Sequence, residues 1–171
     1  MRTTSATGSN SSAFTLIELS IAVFIVATLL AVTAPYFVRS YNTAIVGSTA
    51  RTFATTCQFA RSQAVLRQKP ALLEIDMDRQ MFWVAQVLTN DAGEMAAQVL
   101  KSTQMPVRVR LFSAQRVDEP IATSGRVEVR FYPNGTCDAV TVAFRGNERG
   151  SGLAVQVEPV TARATMLPAA I

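Results

Sequence analysis

The sequence predicts an α+β protein, in which one long N-terminal helix packs against an antiparallel β-sheet head. Three observations support this fold class. An uncharged, mostly apolar run extends from Leu19 to Val38, small apolar residues then recur with helical spacing, and alternation with period two follows from Ala71 onward. We expect the helix to extend from Phe14 to Gln68, because Pro70 disfavours helical backbone at the residue before it.

The apolar run has about 20 residues and a helical length of about 30 Å, which matches the hydrocarbon core of a bilayer. One carboxylate, Glu18, stands at its beginning. A charge at the edge of such a run is costly unless it has a partner. Glu18 is therefore a candidate functional residue.

Beyond residue 38 the predicted helix becomes amphipathic. Its apolar positions recur at steps of three and four residues and are mostly small: Val46, Ala50, Phe53, Cys57, Ala60 and Ala64. Polar side chains keep the same step on another face: Arg51, Thr55, Gln58 and Ser62. This pattern predicts a helix that a sheet can approach closely. We expect Pro35 to kink the helix, because proline removes a backbone hydrogen-bond donor.

The remainder of the chain predicts β-structure. Alternating residues and turn signals predict strands at 72–77, 81–88, 107–111, 126–131, 140–144 and 153–158. Residues 89–94 and 146–152 are predicted loops, and the tail 161–171 has no assigned structure. Phe82 and Trp83 fall on opposite faces of their strand, and the pattern does not decide which of them is in the core.

Composition excludes several classes of enzyme. The chain has 171 residues, a formal net charge of +4 and no histidine. A Ser-His-Asp or Cys-His arrangement is therefore impossible, an ordinary zinc site cannot form from two cysteines, and no phosphate-binding Gly-Lys-Ser/Thr loop is present. We predict a structural protein without enzymatic activity, cofactor or metal.

The stretch Ala13-Phe14-Thr15-Leu16-Ile17-Glu18-Leu19, with the apolar run behind it, resembles the processing signature of type IV pilins and pseudopilins. The resemblance implies that prepilin peptidase cuts between Ala13 and Phe14 and methylates the new amino terminus. It divides the chain into a leader (1–13), a transmembrane and assembly helix (14–38) and a periplasmic pilin-like head (39–171). The head comprises the amphipathic helix 39–68 and the β-rich region 71–171. The family usually has Gly where this chain has Ala13.

The resemblance also implies a role for Glu18. In the family, the acid at this position contacts the amino terminus of a neighbouring subunit and sets the register of assembly. Two unit charges 4 Å apart attract by about 4 kcal/mol at an effective dielectric constant of 20. The implied partners are prepilin peptidase, other pseudopilins or pilins through helix packing, and inner-membrane lipid. The implied location is a single pass through the inner membrane with the head in the periplasm.

Two simpler interpretations compete with this one. A secretory signal peptide could be cut after Ala34, although Pro35 would follow the cut and the leader is barely basic. A plain single-pass anchor is the other alternative, and it leaves Glu18 unexplained.

Two further stretches, 60–67 and 127–145, resemble the GspH/FimT branch of minor pseudopilins, through an Ala-Arg-Ser-x-Ala helix end and a Phe-x-Pro-x-Gly turn. The resemblance to this branch implies that the chain is a component of the pilus-like fibre of a type II secretion system. A minor type IV pilin that primes pilus assembly, or a pilin for DNA uptake, remains an alternative. The Gly-Arg-x-Arg pattern linked to DNA binding is incomplete at 161–165, so nucleic acid is not an expected partner.

The periplasmic location implied by the resemblance is oxidising, so Cys57 and Cys137 are predicted to form a disulfide between helix and sheet. Two buried, reduced cysteines are the alternative. Four arginines occupy the outward-facing positions of two predicted strands: Arg108, Arg110, Arg126 and Arg130. They form either a basic face for an acidic partner or the solvated side of a sheet, with Glu128 offsetting their charge.

Overall fold

The computed structural model describes residues 14–89, 95–117, 119–146 and 152–169, without the side chains of residues 32, 34–40, 42, 87–89, 95 and 96. It divides into two units, Met1–Val38 and Arg39–Ile171. Helix α1 (Leu16–Arg67) extends through both units without a break at Pro35, within two residues of the predicted bounds. In the described residues after α1 there are eight strands: β1 Ala71–Asp76, β2 Met81–Thr89, β3 Met95–Gln104, β4 Val109–Arg116, β5 Arg126–Phe131, β6 Val140–Gly146, β7 Gly152–Val157 and β8 Ala164–Pro168.

In the part of the chain that the structure describes, no helix has both the length and the apolarity needed to cross a membrane.

In place of the one antiparallel sheet that was predicted, the described residues form two four-stranded sheets. The first has the order β3-β2-β1-β5 and the second the order β4-β6-β7-β8, with every pairing antiparallel. Two strands, β3 and β8, were not predicted from the sequence, and each lies at the edge of its sheet. None of the described side chains in β3 and β8 is fully buried, so neither strand has the alternation of buried positions that β4 and β5 show, although these also lie at sheet edges.

The second half of α1 joins both sheets. Its predicted stripe is buried, and Phe53 lies at the centre of the core with no exposed surface. The Phe53 ring meets the edge of Phe82 from the first sheet at 5.2 Å between centroids, and Phe144 from the second sheet at 5.5 Å. Edge-to-face pairs at these distances are favourable. The small stripe therefore allows one aromatic residue to contact both sheets.

The structure resolves two questions that the alternation left open. Phe82 is the core residue of β2, whereas Trp83 faces outward under the guanidinium of Arg126, 5.6 Å from its ring centroid. The four outward arginines do not form one face, because Arg108 and Arg110 lie in or beside β4 and the other two lie in β5 of the other sheet. Arg130 Nε donates to Glu128 Oε1 at 3.0 Å, so the offset by Glu128 is confirmed for that residue.

Candidate assembly site

The start of α1 contains a helix cap that was not predicted from the sequence. The backbone N–H of Glu18 donates to Thr15 Oγ1 at 3.3 Å, and the N–H of Leu19 donates to the Thr15 carbonyl oxygen at 3.1 Å. Thr15-Leu16-Ile17-Glu18 has the Ser/Thr-x-x-Glu spacing of a capping box, which signals a helix N-terminus. Glu18 thus also lies where a carboxylate stabilises the positive end of the helix dipole. Ala13, the predicted residue before the cut, lies outside the described residues.

The carboxylate of Glu18 is exposed, and among the described residues no side chain or N–H donates to it. Phe14, the predicted mature N-terminus, is exposed as well. The structure therefore leaves the predicted processing residue Phe14 and the predicted assembly residue Glu18 accessible to a second molecule.

Residues 16–31 form a helical segment that presents large apolar side chains on every side. Its large side chains are all exposed in the single chain: Leu16, Ile17, Leu19, Ile21, Val23, Phe24, Ile25, Val26, Leu29 and Leu30. A helix that is hydrophobic all round is normally covered by lipid or by other helices. This segment therefore requires a cover that the chain itself does not supply within the described residues.

The hydroxyl groups in this segment are satisfied by the helix itself. Ser20 Oγ donates to the Leu16 carbonyl oxygen at 2.9 Å, and Thr28 Oγ1 donates to that of Phe24 at 2.8 Å. Just beyond this segment, Thr33 Oγ1 donates to the carbonyl oxygen of Leu29 at 2.9 Å. Such bonds to the preceding turn remove the need for water, so the polar side chains do not oppose an apolar environment.

The head brings the two cysteines together, but as thiols. Cys57 and Cys137 are both buried and free, so the structure does not contain the predicted disulfide. Burial raises the pKa of Cys57, and the neighbouring Cys137 raises it further. Burial and then Asp138 raise the pKa of Cys137 to about 11. The reactive thiolate is therefore scarce at neutral pH, which makes thiol exchange in the folded head slow.

The helix end and the turn that resemble the GspH/FimT branch contact each other. Arg61 Nε donates to the carbonyl oxygen of Gly135 at 3.1 Å. Gly135 has a φ of 85°, and a Cβ at this position would lie 3.3 Å from Arg61 Nη2. Glycine adopts this left-handed backbone without strain and leaves room for the guanidinium, whereas a Cβ would require Arg61 to shift by a few tenths of an ångström. Two motifs that are 74 residues apart therefore form one link between helix and sheet.

The comparisons with known proteins agree with this arrangement. The sequence model of the family described as type II transport protein GspH matches residues 49–161, and that of the prokaryotic N-terminal methylation motif matches residues 8–34. The chain belongs to the GspH family. It is a minor pseudopilin of this type II transport family, with an N-terminal methylation motif before the head. No curated protein matches the sequence.

Two solved structures share the fold. The minor pseudopilin EpsH from the type 2 secretion system of Vibrio cholerae has a TM-score of 0.59 at 12% identity, covering 74% of this chain and 98% of EpsH. The type IV minor pilin FimU of Pseudomonas aeruginosa has a TM-score of 0.51 at 19% identity, covering 72% of this chain and 88% of FimU. The predicted α+β pilin-like fold is thereby confirmed. Family membership and the methylation motif imply N-terminal processing and a membrane-anchored fibre in the periplasm.

Proposed function

We propose that the chain is cut by prepilin peptidase between Ala13 and Phe14, methylated on Phe14, and then assembled into the pilus-like fibre of a type II secretion system. The observation that carries the proposal is the helix segment 16–31, whose large apolar side chains are all exposed and which has one acid in its first turn. Lipid covers this segment before assembly, and the helices of neighbouring subunits cover it in the fibre. The role is structural, and it requires no catalysis.

The same surface explains the direction of transfer from membrane to fibre. Leaving lipid costs the apolar helix little if the new neighbours are equally apolar helices. Glu18 gains most from the transfer, because its carboxylate meets the positive amine of Phe14 on the adjacent subunit. At 4 Å and an effective dielectric constant of 20, the attraction is about 4 kcal/mol. Cleavage creates that amine, so an uncut precursor lacks the partner charge.

The processing step is tested by intact-mass measurement of the protein purified from its native host. We expect a chain that begins at Phe14 and carries one added methyl group. A chain that retains residues 1–13 would refute the proposal, and so would a chain that begins at Pro35. The second result would instead support cleavage of a secretory signal peptide.

The assembly step is tested by replacing Glu18 and Thr15 separately. Glu18→Gln keeps the size of the side chain and removes its charge, so we expect crosslinking to neighbouring subunits and secretion to be lost. Thr15→Ala removes the helix cap, which is worth about 1 kcal/mol, and keeps the charge. We expect Thr15→Ala to assemble. If Thr15→Ala is as defective as Glu18→Gln, Glu18 acts through the helix start and not through a neighbouring amine.

Nucleic acid is not part of the proposed function. Binding to DNA would depend steeply on salt, because it releases counterions from the phosphates. We expect no mobility shift of DNA at low salt, and a shift that disappears at higher salt would favour a pilin for DNA uptake.

A further inference from the structure

One end of the head concentrates positive charge and exposed apolar groups. We call it the basal surface and define it by the residues Tyr41, Val107, Arg108, Arg110, Phe112 and Arg145. It lies where β4 begins and β6 ends, since Val109 pairs with Gly146 and Arg110 pairs with Arg145. The guanidinium of Arg108 lies 5.7 Å from the centroid of the Tyr41 ring, which connects this end of the sheet to α1.

Two arginines of the basal surface, Arg110 and Arg145, lie opposite each other on neighbouring strands. Arg110 and Arg145 are direct cross-strand partners, an arrangement that destabilises a sheet when both residues carry the same charge. Among the described residues no acid pairs with these two arginines, so an external anion that neutralised them would relieve their repulsion.

The same surface exposes apolar and aromatic groups. Val107 is 95% exposed, and both Tyr41 and Phe112 are exposed. The guanidinium of Arg145 lies 5.2 Å from the centroid of the Phe112 ring. Aromatic rings beside cationic side chains, with an aliphatic residue next to them, are typical of surfaces that lie at the boundary between lipid and water.

The position of Tyr41 in the chain favours lipid, and not a soluble acidic protein, as the binding partner of the basal surface. Tyr41 comes three residues after Val38, the last residue of the first unit and of the predicted transmembrane segment 14–38. Three helical residues correspond to about 4.5 Å along a helix axis, which is shorter than the depth of a headgroup layer. If residues 14–38 are embedded in the membrane, as the proposed function requires, Tyr41 belongs to the headgroup region by chain connectivity alone.

We propose that the basal surface binds the anionic phospholipid headgroups of the membrane that holds the helix, and so docks the head before assembly. This inference rests on the proposed membrane anchorage. An arginine close to an anionic lipid surface strengthens binding about fivefold. Loss of both Arg110 and Arg145 should therefore weaken docking about 25-fold. The docking should also weaken as salt screens the surface charge.

The experiment uses the full mature chain in lipid nanodiscs made of phosphatidylcholine alone or with added phosphatidylglycerol. Hydrogen–deuterium exchange is followed in peptides that cover residues 105–112 and 141–146. We expect slower exchange in the anionic discs, and loss of this protection in Arg110→Gln/Arg145→Gln. The matched control is Arg67→Gln/Lys69→Gln, which removes the same charge from exposed residues at the other end of the head helix. Unchanged exchange in β1 shows that each variant is folded.

The outcomes separate the two proposals. If the chain inserts into the discs but exchange at the basal surface is the same in both lipids, the docking inference is wrong and the proposed anchorage stands. The inference is also wrong if the control variant loses protection as strongly as the Arg110/Arg145 variant does. If carbonate extracts the chain from both kinds of disc, the anchorage itself is wrong, and the docking inference fails with it.

Discussion

The two halves of α1 have the same backbone and opposite surroundings. In residues 16–31, large apolar side chains are exposed on every face, whereas between Val46 and Ala64 a stripe of mostly small residues is buried by two sheets. Phe24 is 72% exposed, and Phe53 has no exposed surface. The comparison shows that the more apolar half is the one that no other part of the described chain covers. Burial within the chain depends on shape, because small residues let the sheets approach, and large ones require helices or lipid as neighbours.

The largest expected effect concerns the connection between the head half of α1 and the sheet. We predict that Cys57 and Cys137 are bonded in the mature periplasmic protein, although both are thiols in the structure. A bond that closes a loop of about 80 residues stabilises by about 4–5 kcal/mol in the chain-entropy model. Reductant should therefore lower the free energy of unfolding by that amount.

Thiol titration of the mature protein under denaturing, non-reducing conditions checks this bond, and finding two free thiols would reject it. Titration of the native protein adds a kinetic test. The raised pKa values of both thiols predict that reduced protein, once folded, reacts slowly with thiol reagents near neutral pH.

The next largest effect compares the two phenylalanines directly. Phe53→Ala should destabilise the head by about 3–5 kcal/mol, because it removes a buried ring that packs against both sheets. Phe24→Ala removes the same side chain from the exposed half of the helix and should leave head stability unchanged. Denaturant unfolding of both variants measures the difference. Equal losses would mean that the two halves of α1 do not differ as described.

A smaller effect tests the link between Arg61 and Gly135. Gly135→Ala should cost about 1–2 kcal/mol from left-handed backbone, and about 1 kcal/mol more because Arg61 must move. Gly125→Ala is the matched control, since Gly125 has a φ of 78° with nothing within 4 Å of an added Cβ. The difference in unfolding free energy between the two variants isolates the Arg61 contact. No difference would show that this contact contributes little to stability.

The smallest expected effect is on the pH dependence of stability, and it compares one acid from each region, Glu18 in the apolar half of α1 and Asp76 in the head. Glu18 has no described donor to its carboxylate, whereas Asp76 accepts from the N–H groups of Arg79 and Asp78 and from Arg126 Nε. These bonds, the one from Arg79 first, lower the pKa of Asp76 below its ordinary value. The stabilisation is therefore present above the unfolded-state pKa and is lost as pH falls through the folded-state pKa.

Unfolding measured between pH 5 and pH 2 checks the sign. Asp76→Asn should remove the contribution of this carboxylate to the loss of unfolding free energy at low pH. Arg126→Gln should only weaken that contribution, since the backbone bond from Arg79 is retained. An Arg126→Gln variant that loses the whole dependence would show that the ion pair, and not the turn, sets the pKa of Asp76.

Residues close in sequence determined much of this protein. The apolar run, Glu18 and the residues before it indicate the processing signature, and the three-and-four spacing from Val46 to Ala64 identifies the buried stripe correctly. The bounds of α1 follow from the same periodicity and from Pro70. Each of these properties arises from local backbone geometry, which a single stretch of sequence contains in full.

Only the tertiary structure decided which distant stretches meet. The alternation of residues predicted correctly that Arg110 and Arg130 face outward, but it did not show that they lie in different sheets. It also failed to predict the strands β3 and β8. It could not show that Arg61 contacts Gly135, that Asp76 is buried beside Arg126, or that Arg110 lies opposite Arg145. The physical reason is that strand pairing and packing depend on contacts between residues far apart in the chain. Periodicity reports the direction of a side chain but not its partner.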